Sequence, residues 1–330
     1  MISSLVFGGG GTRCLIYAQA LAELQTKGML GSVRKVWGTS AGALIGTMFA
    51  LSNDGRTVRD ALYKCDFSRF RDIAIKNILN INETWGLDDG NNLRRMIGEL
   101  CNSMRGGGAE MKMSDLPTMN IVVADLSIRE TIVINAETYP ELPVVDAIRA
   151  SMSLPLLLRP FVAPSGNIWI DGGLRENFPW RMLSNEEKLG ALGFAIEKDS
   201  PKTPRTMADF MFSMVHYDEI RNINNIKANW PNIIWFPSPP FPTWFTKIKE
   251  EDYTMLSEQS LVALTSYLER LPENDGIPDM SALHCTPLSA GPEGRTIEWS
   301  DNPSPFHAQV QDSSQHQSPC KRPSQRRWSV

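Results

Sequence analysis

Histidine is nearly missing from this chain. Its 330 residues hold four, His216, His284, His307 and His316, so nothing before residue 216 can act through an imidazole. Metal-binding patterns are missing too: the five cysteines, Cys14, Cys65, Cys101, Cys285 and Cys320, include no C-x-x-C pair, and no carboxylate cluster has ligand spacing. No metal or organic cofactor is expected. The odd, scattered cysteine count also argues against a disulfide framework and for reduced thiols in the cytosol or nucleus. There is no excess of positive charge. With 33 Lys and Arg against 37 Asp and Glu, the net charge of -4 excludes nucleic acid as an expected partner, and with it a constitutively basic membrane surface. No apolar run is long enough to span a bilayer, and Met1-Ile2-Ser3-Ser4 lacks the positive segment of a signal peptide. The expected location is cytoplasmic, or peripheral at intracellular membranes. Nucleotide motifs fail as well. No G-x-x-x-x-G-K-[ST] occurs, and G-x-G-x-x-G breaks at Arg13 or Cys14, counting from Gly8 or Gly9.

What is present is a set of parts for acyl transfer. Ser40 is the centre of Gly38-Thr39-Ser40-Ala41-Gly42, between the apolar run Val33 to Trp37 and the helix-like run Ala41 to Leu51. A serine nucleophile must project from a tight strand-to-helix turn, and Gly38 and Gly42 let the backbone pass there without a Cβ clash. Upstream, Leu5-Val6-Phe7 reads as a buried strand running into Gly8-Gly9-Gly10-Gly11-Thr12-Arg13. Four consecutive glycines lose much backbone entropy on ordering. The return is backbone N–H groups close to negative charge, reinforced by the helix that begins near Cys14. Downstream, Asn167 to Ile170 reads as a strand that delivers Asp171 at its end, and Gly172-Gly173 make the turn behind it. Nucleophile, base and oxyanion donors are then all in hand.

These residues resemble the patatin-like phospholipases. Gly9-Gly10-Gly11-Thr12-Arg13, Gly38 to Gly42 and Asp171-Gly172-Gly173 match the family's G-G-G-x-[RK], G-x-S-x-G and D-G-[GA] motifs. Arg149-Ala150-Ser151-Met152-Ser153-Leu154-Pro155 is similar to its small-residue and proline stretch, and Asp171 to Pro179 fits D-G-G-x-x-x-N-x-P, so the resemblance covers roughly residues 3–197. The chain departs from the pattern at Cys14, where the family usually has glycine, and a side chain there requires a negative φ. The resemblance implies a three-layer α/β/α fold with a mainly parallel central sheet. It also implies hydrolysis of phospholipid or another acyl-ester lipid by a Ser40–Asp171 dyad, with Gly9, Gly10 and Gly11 as the oxyanion loop and transient contact with a membrane or micelle. A Ser40–Asp171–His216 triad is admissible by chain order, and a catalytically silent lipid-binding relative of the same fold is a further alternative. Arg13 has two readings: a charged tether for the glycine loop, or an attractor for an anionic head group.

Strands and helices alternate as in a parallel α/β sheet up to Leu192–Ile196. The division expected from composition is a catalytic core over 1–198, a helical and aromatic, proline-rich extension over 199–280 packing on the core, and a low-complexity tail over 281–330 that is disordered. The extension carries helix-like runs at Met207 to Ile220 and Tyr253 to Leu271. Between them lie Trp235, Phe236, Trp244 and Phe245 among five prolines. That stretch reads either as a loop packed on the core or as a lipid-contacting lid.

Overall fold

The computed structural model describes residues 1–70, 79–105, 111–197, 219–240, 248–271, 273–274 and 277–278. The first half contains β1 (Ser4–Phe7), a 3-10 turn (Gly11–Ile16) leading into α1 (Tyr17–Thr26), β2 (Lys35–Thr39), α2 (Ala41–Ser52), α3 (Gly55–Lys64), β3 (Gly86–Asp88) and α4 (Asn91–Arg105). Then come β4 (Met119–Asp125), β5 (Glu130–Ile134), α5 (Val144–Ser151), β6 (Leu156–Leu158), β7 (Phe161–Val162), β8 (Ile168–Asp171) and β9 (Ala191–Ile196). There follow α6 (Glu219–Asn229), β10 (Ile233–Phe236) and α7 (Glu250–Leu268), and then a short antiparallel pair, β11 (Glu273–Asn274) and β12 (Ile277–Pro278).

The main sheet runs β10-β9-β1-β2-β4-β8-β7, with β5 also on β4. Neighbours from β10 to β4 are parallel, whereas β5 and β8 run against β4 and β7 runs against β8. All four residues of β1 and all seven of β4 are buried, as strands covered on both faces must be. Alternate side chains go to opposite faces. Leu5, Phe7, Leu192 and Phe194 join the core under α1, α2 and α7, while Val6, Ala191 and Ala195 pack with Trp37, Phe178 and Trp180 beneath α6. The second face is the thinner layer.

One pairing detail positions everything that follows. β5 occupies one edge of β4 over Ile121 to Asp125, so the other edge is shared: β2 takes Met119 to Val122 and β8 takes Val123 to Asp125. Two oppositely running strands therefore meet end to end on one template, with Thr39 opposite Val122 and Asp171 opposite Val123.

α2 is buried along nearly its whole length, from Ala41 to Phe49. A helix apolar on every side belongs in the middle of a protein, and it ends at Asn53 in a left-handed cap. α7 instead buries one stripe, Leu256, Ser260, Leu264 and Tyr267. Ser260 Oγ on that stripe accepts the Ala20 N–H at 2.9 Å, which ties α7 to α1.

Two expectations change here. Ile233 to Phe236 is the edge strand of the main sheet, so a boundary at 198/199 would part it from β9, its neighbour in that sheet. Phe236 is fully buried against Phe194 and Tyr17, which removes it from any lipid-contacting surface, and Trp235 is partly buried beside Phe178. Trp244 and Phe245, residues 207–218 of the first expected helix, and the tail 281–330 lie outside the described residues.

Candidate active site

Ser40 closes β2 in a strained backbone, φ 54 and ψ -126, as the N-cap of α2. For a non-glycine residue this conformation costs on the order of 1–3 kcal/mol and persists only where the surroundings impose it. They do so through close backbone approach. A Cβ on Gly42 would come within 2.5 Å of the Phe7 carbonyl oxygen and 2.6 Å of that of Gly8, and one on Gly38 within 2.6 Å of Gly42 O. The Ser40 N–H donates to Ser151 Oγ at 2.8 Å, and that hydroxyl donates to the Val122 carbonyl at 2.6 Å. Ser151, wholly buried at the end of α5, thus pins the elbow to β4. The motif stretch 149–155 contains Ser151, but only its contacts reveal this role.

The end-to-end meeting of β2 and β8 brings the hydroxyl to the carboxylate. Ser40 Oγ donates to Asp171 Oδ2 at 2.7 Å. Gly173 N–H donates to the other oxygen, Oδ1, at 2.7 Å, so the carboxylate is held by one oxygen and presents the other. Asp171 N–H donates to Ser153 O at 2.9 Å, and Ser153 Oγ accepts from Arg149 at 2.6 Å. Burial holds the Arg149 guanidinium down to about 10, against the pull of Asp88, Asp89 and Asp146. Asp171 itself is 5% exposed. Burial pushes its carboxyl from 3.8 up to about 6, while the bonds from Ser40 and Gly173 pull it back. A carboxylate short of solvation is a stronger base than the same group in water.

The glycine loop sorts into two roles. Gly9 donates its N–H to Asn177 O at 2.9 Å and accepts from Asn177 Nδ2 at 3.3 Å, and a Cβ on Gly9 would collide with Asn177 Oδ1. Gly9, expected among the oxyanion donors, thus has its N–H already engaged, and hydrogen only at Cα lets Asn177 clasp the loop. Among the described residues, the Gly10 and Gly11 N–H groups have no acceptor within the protein. Both residues line the pocket that holds Ser40, Asp171 and Asn177, and Gly11 takes the left-handed φ of 57. Gly172 sits so close to Val122 O that no Cβ fits, which keeps the turn behind Asp171 against β4.

Arg13 reaches away from the pocket to Ser238 Oγ at 3.1 Å, just beyond β10. That contact favours the tether over the head-group attractor. Cys14 has an ordinary negative φ and is buried, with Sγ 3.5 Å from Gly8 O, and burial pushes its thiol far up. Its Cβ is accommodated as the sequence requires. Away from the dyad the pocket is apolar, lined by Leu15, Leu44, Leu62, Phe67, Phe70 and Leu157 among others. Such a lining suits an acyl chain.

Among the described residues no group of three or more His, Cys, Asp or Glu is placed to hold a metal ion, and no helix is long and apolar enough to cross a membrane. His216 lies outside the described residues.

A family model of patatin-like phospholipases matches residues 5–184. An uncharacterized protein of Bacillus subtilis, YqhO, is 27% identical over 220 residues, covering 60% of this chain and 73% of its own. Among solved structures, VipD from Legionella pneumophila superposes with a TM-score of 0.50 at 15% identity, over 81% of this chain and 67% of that one. ExoU from the Pseudomonas aeruginosa type III secretion system, solved with SpcU, gives 0.50 at 18% identity. There the overlap is 82% of this chain but 52% of ExoU, so the chain spans about half of that protein. At these identities the structural likeness establishes the shared fold.

Proposed function

The chain belongs to the patatin-like phospholipase family and is a lipid ester hydrolase, and on that premise we propose that it works through a Ser40–Asp171 dyad and an acyl-Ser40 intermediate. The observation that carries this reading is the 2.7 Å hydrogen bond from Ser40 Oγ to a buried carboxylate oxygen. Ser40 Oγ attacks the ester carbonyl as its proton passes to Asp171 Oδ2. The oxygen that becomes negative lies against the Gly10 and Gly11 N–H groups, where charge is stabilised as it forms. Collapse of the tetrahedral species breaks the bond to the leaving alkoxide, which takes the proton from Asp171 and departs as an alcohol. Water then repeats the sequence on acyl-Ser40, with Asp171 again accepting and returning one proton, and the fatty acid leaves. The acyl chain occupies the apolar part of the pocket. Because such a substrate resides in bilayers or micelles, the reading includes transient contact with a lipid surface.

The test is reaction with a fluorophosphonate, followed by intact-mass location of the adduct, together with hydrolysis of a short-chain ester by three variants. Labelling is expected at Ser40. Ser40→Ala and Asp171→Asn should each lose at least about a thousandfold in kcat, with His216→Ala within a few-fold of wild type. A folded His216→Ala protein that has lost turnover would replace the dyad by a triad. Absence of any Ser40 adduct would favour the catalytically silent alternative.

A further inference from the structure

Five large apolar side chains stand in water at the end of the sheet where Ser40 sits. Trp85 is 54% exposed, Leu156 45%, Leu126 and Ile128 52% each, and Val162 61%. Their placement follows from the strand pairing. Leu156 on β6 lies between Leu154 and Leu157, which line the pocket, and its own side chain faces outward. Trp85 immediately precedes Gly86, whose strand partner is Leu156. Leu126 and Ile128 form the tip of the β4–β5 hairpin. Since Thr39 is opposite Val122, Ser40 is level with Val123, and Leu126, just past the end of β4, lies three residues further on, roughly 10 Å beyond the level of the nucleophile at ~3.3 Å per residue. Val162 pairs with Ile168, whose carbonyl accepts the Leu126 N–H at 2.9 Å, so the hairpin tip and β7 flank the same residue.

The backbone supplies a second, independent observation. Trp85 has φ 54 and Leu156 φ 64, the left-handed region that disfavours every side chain with a Cβ and bulky ones most. Glycine or asparagine would fit both positions at lower cost. Neither side chain is buried in the core to offset that cost in full, because about half of each stays in water. Folding alone therefore gives little reason for tryptophan and leucine at these two positions, and contact of their exposed halves with something apolar outside the chain gives a better one.

We propose that this rim, Trp85 and Leu156 together with Leu126, Ile128 and Val162, is the surface on which the protein seats itself on a phospholipid bilayer. The proposal rests on the lipid-hydrolase reading for its choice of partner. Continuity with the pocket supports that choice: Leu154 and Leu157 line the inside, Leu156 stands outside, and a lipid entering from a bilayer passes from one apolar surface to the next without crossing water. Indole and branched aliphatic groups also suit the boundary between head groups and acyl chains. The rim replaces the Trp235 and Phe236 region, where Phe236 is core.

The experiment is sedimentation of the full chain with phosphatidylcholine vesicles, for wild type and for the double variant Trp85→Asn/Leu156→Asn. Asparagine tolerates left-handed backbone, so the variant keeps the fold. Vesicle affinity should drop about tenfold or more, vesicle hydrolysis should fall with it, hydrolysis of a soluble monomeric ester should stay within about twofold, and the melting temperature should hold or rise. Unchanged vesicle affinity overturns the proposal. So does a lower melting temperature with equal loss on both substrates, which would make the two side chains structural. A wild-type dimer that becomes monomeric in the variant while vesicle binding persists would assign the rim to a second copy of the chain. Sedimentation needs no turnover, so it decides the surface even if fluorophosphonate labelling refutes the hydrolase mechanism.

Discussion

Burial of Asp171, which the proposed mechanism uses, comes at the expense of stability. In the unfolded chain its carboxyl titrates near 3.8, whereas burial in the fold moves it up to about 6. Between those two values the native state holds a proton that the unfolded state has released, so stability falls as pH rises through this window and stays lower above it. At about 1.4 kcal/mol for each pH unit of the gap, the ionised aspartate costs on the order of 3 kcal/mol at neutral pH. Asp171→Asn should therefore be inactive yet more stable than wild type above pH 6, with the advantage fading between pH 6 and 4; thermal melts across pH measure it. The kcat/KM profile should fall below about pH 6 with the slope of one proton, because only the ionised form accepts from Ser40. A stability gain that did not depend on pH would show that desolvation of the charge is not its source.

At the scale of elements, the end of α5 holds the elbow. Ser151→Ala would leave both the Ser40 N–H and the Val122 carbonyl without their partner in a buried site. Unpaired buried groups of this kind cost about 1–3 kcal/mol each. The expected outcome is a melting temperature lower by several degrees and a kcat reduced about tenfold or more with little change in KM, since the elbow loses its orientation and the pocket keeps its walls. A change confined to stability would make Ser151 merely structural. This support was not legible in the chain, where Ser151 is one small residue in a row of them. The strands that carry Ser40 and Asp171 were legible, because a buried apolar run that stops at glycine has few other readings. β10 was not. Pro231 and Pro237 bracket Ile233–Phe236, and prolines so close together imitate a loop, although an edge strand of a sheet tolerates them at its ends. The glycine run announced an anion-facing loop but could not say which N–H faces where. That depends on Asn177, 168 residues from Gly9, and on the side the clasp takes.

At the scale of the whole molecule, Ser40 and Asp171 are 131 residues apart in the chain and meet only because β2 and β8 share one edge of β4. Sites carried on surface loops commonly fail before the fold does, because loops open at lower free energy than core strands. Here Ser40 directly follows β2 and Asp171 ends β8, both of them strands flanked on each side within the sheet. In urea, the midpoint of activity on a soluble ester should coincide with the midpoint of the far-ultraviolet circular dichroism transition to within about 0.3 M. An earlier loss of activity would mean that the elbow opens separately from the sheet.

With the proposed dyad, the shared edge of β4 also makes the hydrolase self-timing. On the proposed dyad, a growing chain that has reached the β4–β5 hairpin already contains Ser40 but not Asp171, and it stays that way until β8 has been made and has docked against Val123, Ala124 and Asp125. A truncated or half-folded chain has the same deficit. Partly folded chains expose apolar surface, and on the proposed dyad such a chain lacks the base needed to cut a lipid.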